Sequence, residues 1–191
     1  IGPDNEILVK SPTVMRGYYN KPQETAEVFT PDGYFRTGDA GYFDQNGDLI
    51  LTERVKDLFK TSNGKYIAPQ AIESRLGEDK YIEQVAVIGD NRKFVTAIIV
   101  PAIEAVKEYA SRKKIQYRNL EDLLSDSRIR ELISNRIESL QEGLASFEKI
   151  KKFTLLPKEF TMEAGELTNT LKIRRPVINR HYASQIEAMY A

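Results

Sequence analysis

The sequence predicts an α+β domain over residues 55–191, with a small, mostly antiparallel sheet covered by helices, preceded by a short β-rich piece over 1–54. Three observations carry this. Val85–Ile88 and Phe94–Val100 are strand-sized apolar runs on either side of a polar turn, Gly89 to Lys93. Ile129, Leu132, Ile133, Ile137, Leu140 and Leu144 recur at helical spacing as one apolar stripe. Strands and helices intermix without a repeating βαβ series or an internal repeat.

Glu6-Ile7-Leu8-Val9-Lys10 opens the β-rich piece as a short strand closed by Ser11-Pro12. Pro22 through Phe29 reads as a short helix, with the proline acceptable in its first turn. Asp32-Gly33 and Asn46-Gly47 are turn signals, and the second separates Gly41-Tyr42-Phe43 from Leu49-Ile50-Leu51 as a hairpin. A different rhythm begins after Arg54. Leu58-Phe59-Lys60 and Lys65-Tyr66-Ile67 flank Ser62-Asn63-Gly64 as another hairpin. Pro69 starts a helix through Ile72 and Leu76 that Gly77 ends. After the two apolar strands, Pro101 opens a helix with Ile103, Val106 and Ala110 on one face, and the long stripe follows. Phe153-Thr154-Leu155-Leu156 is a third strand stopped by Pro157, and a last helix runs from Pro176 with Ile178, Tyr182, Ile186 and Met189 inward.

Lys+Arg and Asp+Glu both number 28, so no global field selects nucleic acid or an acidic membrane. There is no cysteine, which excludes disulfides, a thiolate nucleophile and Cys-based metal sites and fits a reducing, cytoplasmic setting. No apolar run is longer than a strand, so no membrane-spanning segment is expected. The start at Ile1, within what reads as a strand, predicts a longer parent chain.

Some polar residues carry candidate chemistry. Asp39 ends Thr37-Gly38-Asp39, a tight turn leaving a strand, where a carboxylate can accept two hydrogen bonds from a diol or simply cap its own turn. Arg54 closes the next strand. Lys172 follows a glycine-started polar loop, Gly165 to Leu171, and is presented just before a helix. Asn63-Gly64-Lys65 is no phosphate-binding P-loop, because the upstream glycine at the required spacing is missing. His181 reads as part of a solvated helix face; the runs Arg112-Lys113-Lys114 and Lys149-Lys151-Lys152 read as solvated surface, with contact to anionic phosphates or lipid left open. No cluster has metal-ligand spacing.

Four segments, in order, carry a resemblance. They are Tyr34-Phe35-Arg36-Thr37-Gly38-Asp39, Arg54-Val55-Lys56-Asp57-Leu58-Phe59-Lys60, Asn63-Gly64-Lys65-Tyr66-Ile67-Ala68-Pro69, and Gly165-Glu166-Leu167-Thr168-Asn169-Thr170-Leu171-Lys172. Together they resemble the C-terminal motifs of the adenylate-forming superfamily, most nearly those of long-chain fatty-acid–CoA ligases. The resemblance implies that 1–54 ends a large domain and that 55–191 is a mobile lid. It implies that Asp39 and Arg54 bind the ATP ribose, that Lys56 is the hinge, and that Lys60, Ser62, Asn63 and Gly64 line the pantetheine tunnel for CoA. It makes Lys172 the lysine that bridges carboxylate and α-phosphate oxygens during adenylation. Mg²⁺ would come with ATP and be held largely by phosphates and by residues outside this chain. Two departures stand out: Glu53 replaces the usual Gly before the arginine, and Asn169 stands where long-chain ligases commonly have Pro.

The implied parent converts fatty acid, ATP and CoA into acyl-CoA, AMP and pyrophosphate, with small-molecule partners, no nucleic acid, and peripheral membrane contact left open. The helical stretch from Asn119 to Leu144 favours the long-chain group, whose lid is enlarged there. Two other readings stay open: an adenylating enzyme with a carrier-protein acceptor, and a non-catalytic interaction domain that kept the lid fold.

Overall fold

The computed structural model describes the backbone of all 191 residues and the side chains of all but Asp4 and Glu53. The chain divides into two compact units, Ile1–Phe59 and Lys60–Ala191.

In the first unit, β1 (Glu6–Val9), β2 (Phe35–Phe43) and β3 (Leu49–Arg54) form an antiparallel sheet in that order. The β2–β3 turn is set by Asp44, whose Oδ1 accepts the N–H groups of Asn46 and Asp48 at 2.9 Å. A register shift between Ala40 and Gly41 brings the backbone so close that a Cβ on Gly41 would lie 2.5 Å from the Ile50 carbonyl oxygen. Only glycine fits there. Helix α1 (Pro22–Glu27) stops before Phe29, which bridges instead to Phe35 and packs against its ring.

The second unit is built on a three-stranded sheet of β6 (Ile82–Ile88), β7 (Val95–Pro101) and β8 (Ile150–Leu155), in that order. A two-stranded ribbon, β4 (Phe59–Lys60) with β5 (Tyr66–Ile67), leads into α2 (Pro69–Gly77). All seven residues of β7 are buried, as expected of a central strand covered on both faces. β6 and β7 pair antiparallel, whereas β8 lies parallel to β7. A parallel neighbour needs a crossover. It is supplied by α3 (Ile103–Arg112), α4 (Leu120–Ser125) and α5 (Ser127–Leu140). Pro101 is the last residue of β7 rather than the opening of α3, because Ala102 still donates its N–H to the Tyr81 carbonyl at 2.9 Å.

Alternation along the strands sends Ala86, Ile88, Ile98 and Val100 to one face. There they pack with Leu156, Phe160, Leu167 and the inner residues Ile178, Ile186 and Met189. The last three belong to α6 (Arg175–His181) and α7 (Ala183–Tyr190). The expected single C-terminal helix is therefore two, broken at Tyr182. Helix α5 is also shorter than its stripe: it ends at Leu140, and Leu144 lies beyond it. The capping residue Gln141 is buried and takes the N–H of Ile150 on its side chain, which turns the chain into β8. Among the described residues, no helix is long and apolar enough to cross a membrane.

One buried charge ties α2 to α5. Asp79 is fully buried, accepts the Tyr81 N–H at 2.9 Å, and receives the Arg136 guanidinium at 2.6 Å. Removing the arginine strands a carboxylate inside the fold, so Arg136→Ala is expected to cost about 3 kcal/mol, the lower end for breaking a buried pair because Arg136 itself is half exposed. Urea unfolding of the chain measures this. Arg128→Ala, which removes an exposed arginine from its pair with Asp126, is the control and should leave the midpoint unchanged.

Candidate active site

In the first unit the two predicted ribose-binding residues meet. Asp39 and Arg54 are direct partners across the β2–β3 ladder, and Arg54 Nε lies 3.0 Å from Asp39 Oδ1. The turn before Asp39 is fixed by Gly38, at φ 73°, and by Thr37, whose hydroxyl accepts the Asp39 N–H and donates to the Ile7 carbonyl. Buried Glu6 completes it, accepting from the Gly38 N–H and the Arg36 guanidinium. The result is a partly exposed carboxylate–guanidinium pair that can offer acceptors and donors together to a diol. Lys56 is exposed in a single 3₁₀ turn, Val55–Asp57, whose return is closed by the Leu58 N–H to the Arg54 carbonyl.

Two further groups sit on the second unit, toward opposite ends of β6. The first is the loop Lys60–Gly64. Buried Thr61 closes it, its carbonyl accepting the Gly64 N–H and its hydroxyl the Lys65 N–H. Gly64 takes φ 76°, which the turn requires. The loop is strapped to the β6–β7 turn by three hydrogen bonds: Asn91 N–H to the Lys60 carbonyl, Ser62 N–H to the Arg92 carbonyl, and the Asn63 amide to the Lys93 carbonyl. The Lys60 ammonium lies 5.1 Å from the centre of the Tyr66 ring.

The second group is the hairpin that presents Lys172. Leu167 bridges Ile173, the Thr168 N–H reaches the Lys172 carbonyl at 2.9 Å, and the Thr168 hydroxyl accepts the Lys172 N–H at 3.1 Å. Leu171 is held at φ 59°, uncommon for a leucine, which closes the turn that points Lys172 outward. Where the family pattern has a rigid proline, this loop has Asn169 and a hydrogen-bonded Thr168–Thr170 pair, 3.0 Å between hydroxyl oxygens. Lys172 is exposed and borders a groove of about 380 Å³ shared with Gln84, Val85 and Leu171. Lys172 borders the groove beside Gln84 and Val85 of β6, whereas the Lys60–Gly64 loop is strapped beyond Ile88 to the β6–β7 turn, so the two groups are held at different places along one strand.

Glu166, quoted in the sequence only as part of a motif, is the anchor of the hairpin. It is buried, and its backbone bonds to Thr161 and Arg174 on either side of the loop. Its carboxylate accepts the Thr161 N–H at 3.0 Å, the Tyr182 hydroxyl at 3.0 Å and a contact from His181 Nδ1 at 3.1 Å. His181 is thus not merely part of a solvated helix face; it turns inward onto this carboxylate. Burial alone would push the Glu166 carboxyl up, but hydrogen bonds from His181, Thr161 and Tyr182 outweigh it and hold it below the usual range. Tyr182 moves the other way: burial, then its bond to the Glu166 charge, push its hydroxyl up to about 12. A glutamate in a polar loop gives no sequence signal of burial.

Among the described residues, no group of three or more His, Asp or Glu side chains is placed to hold a metal ion.

The Glu166–Tyr182 pair sets a pH window. The folded chain keeps Glu166 charged after the unfolded chain has taken up its proton, so its stabilisation is complete above about pH 4.5 and is lost as pH falls through the lowered value. Tyr182 contributes stability fully present below the unfolded value of about 10, lost as pH rises through about 12. Amide exchange at Thr161 and Lys172 should follow both edges. Glu166→Gln should abolish the acid edge and Tyr182→Phe the alkaline one.

The chain is similar to known proteins along its whole length. Residues 56–191 match the family described as AMP-binding enzyme C-terminal domain. The long-chain-fatty-acid–CoA ligase FadD15 of Mycobacterium tuberculosis is 37% identical over 191 residues, 100% of this chain and 32% of that protein. Long-chain-fatty-acid–CoA ligase 1 of Homo sapiens is 35% identical over 191 residues, 98% of this chain and 27% of that protein. The chain therefore spans about a third of the length of the curated relatives it matches. Among solved structures, the adenylation domain of a carboxylate reductase from Mycobacterium chelonae aligns with a TM-score of 0.72 at 30% identity, over 97% of this chain and 27% of that chain. With a match covering most of its residues and an adenylation domain as structural neighbour, the chain belongs to the AMP-binding enzyme C-terminal domain family.

Proposed function

We propose that this chain is the C-terminal part of an ATP-dependent, AMP-forming long-chain fatty-acid–CoA ligase, with 1–54 ending its large domain and 55–191 forming its lid. The observation that carries this reading is an exposed lysine, Lys172, where the chain returns from the turn of a hydrogen-bonded hairpin anchored in a buried carboxylate. That is how a preorganised charge is built.

In the first half-reaction, a fatty-acid carboxylate oxygen attacks the α-phosphorus of ATP, the bond to the bridging oxygen breaks, and pyrophosphate leaves. Negative oxygens crowd together as the new bond forms. The Lys172 ammonium offsets that repulsion by bridging carboxylate and phosphate oxygens, while Asp39 and Arg54 hold the ribose. In the second, the CoA thiol loses its proton, its sulfur attacks the acyl carbonyl, and AMP leaves. The loop of Lys60, Ser62, Asn63 and Gly64 lines the way for the pantetheine arm, with Gly64 allowing close backbone approach. Because the Lys172 hairpin and this loop are held at different places along β6, a single orientation of the lid serves one half-reaction at a time. Lys56 is the pivot, an exposed residue in a lone 3₁₀ turn just before the boundary between the two units.

A carrier-protein acceptor is the second reading. It is favoured by a solved didomain of carboxylic acid reductase from Segniliparus rugosus with AMP, which aligns at a TM-score of 0.72 and 29% identity. Offering CoA or a carrier protein to the preformed acyl-adenylate separates the two.

In the full-length parent, Lys172→Ala should slow ATP–pyrophosphate exchange by about 10²–10³, the loss of one strong electrostatic donor. Thioester formation from presynthesised acyl-AMP should suffer far less, and equal loss in both steps would refute the assigned role. Lys56→Pro should give the opposite pattern, because proline fixes φ and restricts the residue before it. Near-normal pyrophosphate exchange with slow acyl-CoA production is expected, and Lys56→Ala should retain both activities. If proline spares both steps, Lys56 is not the pivot.

A further inference from the structure

Helix α7 touches the supports of both functional loops, one at each end. At its start, Tyr182 caps the helix and bonds the Glu166 carboxylate beneath the Lys172 hairpin. The Tyr182 ring is further held edge-on to Phe160, with centroids 5.9 Å apart. In its last turn, Glu187 pairs with the Arg92 guanidinium, which also lies 4.8 Å over the Tyr190 ring. The Tyr190 hydroxyl reaches across the base of the β6–β7 turn, 3.3 Å from the Ile88 carbonyl, 3.1 Å from the Phe94 carbonyl and 3.0 Å from the Thr96 hydroxyl. That turn is the one whose backbone at Asn91, Arg92 and Lys93 straps the loop Lys60–Gly64.

We infer that α7 is a shared positioning element: its N-terminal end sets the Lys172 hairpin through Tyr182 and Glu166, and its last turn sets the Lys60–Gly64 loop through Arg92. The two ends act on different loops and do not share a partner, so they can be uncoupled. The Glu187–Arg92 contact of the last turn is not a general support of the fold. Glu187 is 61% exposed, and an exposed pair contributes little to global stability. Stacking on Tyr190 restricts the Arg92 guanidinium, which leaves the pair able to fix a direction. Positioning of this kind is where small displacements matter, since a shift of about 1 Å at a reacting group can cost about 10²-fold in rate.

The inference rests on the ligase reading for its activity test and is independent of it for its structural test. In the full-length parent, Tyr190→Phe and Glu187→Gln should each slow acyl transfer from presynthesised acyl-AMP to CoA by about tenfold, leaving pyrophosphate exchange within about twofold. Tyr182→Phe, which keeps the ring packing, should do the reverse. In the 191-residue chain, hydrogen exchange should quicken at the Ser62 and Asn91 amides in the first two variants and at the Thr168 and Lys172 amides in the third. Equal loss in both half-reactions for every variant, or unchanged exchange at Ser62 and Asn91, overturns the proposal. Should Lys172→Ala spare adenylation, the functional reading fails, and the exchange pattern alone decides whether α7 positions the two loops.

Discussion

The burial of β7 on both faces governs the second unit. Seven consecutive residues, Val95 to Pro101, have no route to water, so helices must lie on each side of a sheet only three strands wide. α2 packs along β6, while α6 and α7 close the opposite face through Ile178, Ile186 and Met189. Each fully buried aliphatic side chain contributes about 1.5–3 kcal/mol relative to exposure, so this strand anchors the elements that carry function. Thr96, the one polar side chain on it, is tolerated because its hydroxyl bonds the Tyr190 hydroxyl. Functional loops then hang from the margins of a platform that cannot easily deform.

On that platform, ionic contacts divide by depth. Glu73 links α2 to the backbone of β6, accepting the Val87 N–H at 2.8 Å, and receives the Arg175 guanidinium from the start of α6. Burial nevertheless pushes its carboxyl up, ahead of the opposing pull of Arg175 and the Val87 N–H. Such a pair adds little net stability, but separating it leaves a charge without water. It holds α6 in place at the point where the chain leaves the Lys172 hairpin. Exposed pairs such as Lys107–Glu104 do no comparable work, being screened and mobile.

The sequence made much of this visible, and the gaps have physical causes. β6, β7 and their turn are legible because apolar run length and turn chemistry agree. Motif order singles out Asp39, Arg54 and Lys172, and the structure brings the first two into contact and presents Lys172 on the hairpin that Glu166 anchors. The direction of β8 is not legible, since a strand's residues read alike whichever way it runs. Nor is the break at Tyr182, because Ile178, Tyr182, Ile186 and Met189 keep helical spacing straight through it. What interrupts the helix is a hydroxyl drawn to a buried carboxylate sixteen residues upstream. Long-range polar contacts of that kind leave no local pattern, which is also why His181 reads as solvated.

The parallel placement of β8 has a kinetic consequence. β6 and β7 meet through a turn of a few residues, whereas β7 and β8 meet only after a crossover of nearly 50 residues has been closed. Pairing across long separations is slow, so the β6–β7 hairpin is available as an early nucleus and β8 docks afterwards. The lysine hairpin and both closing helices follow β8 in the chain, yet Leu167, Ile178, Ile186 and Met189 pack on Ala86, Ile88, Ile98 and Val100, so the β6–β7 hairpin by itself presents much of the surface on which they assemble.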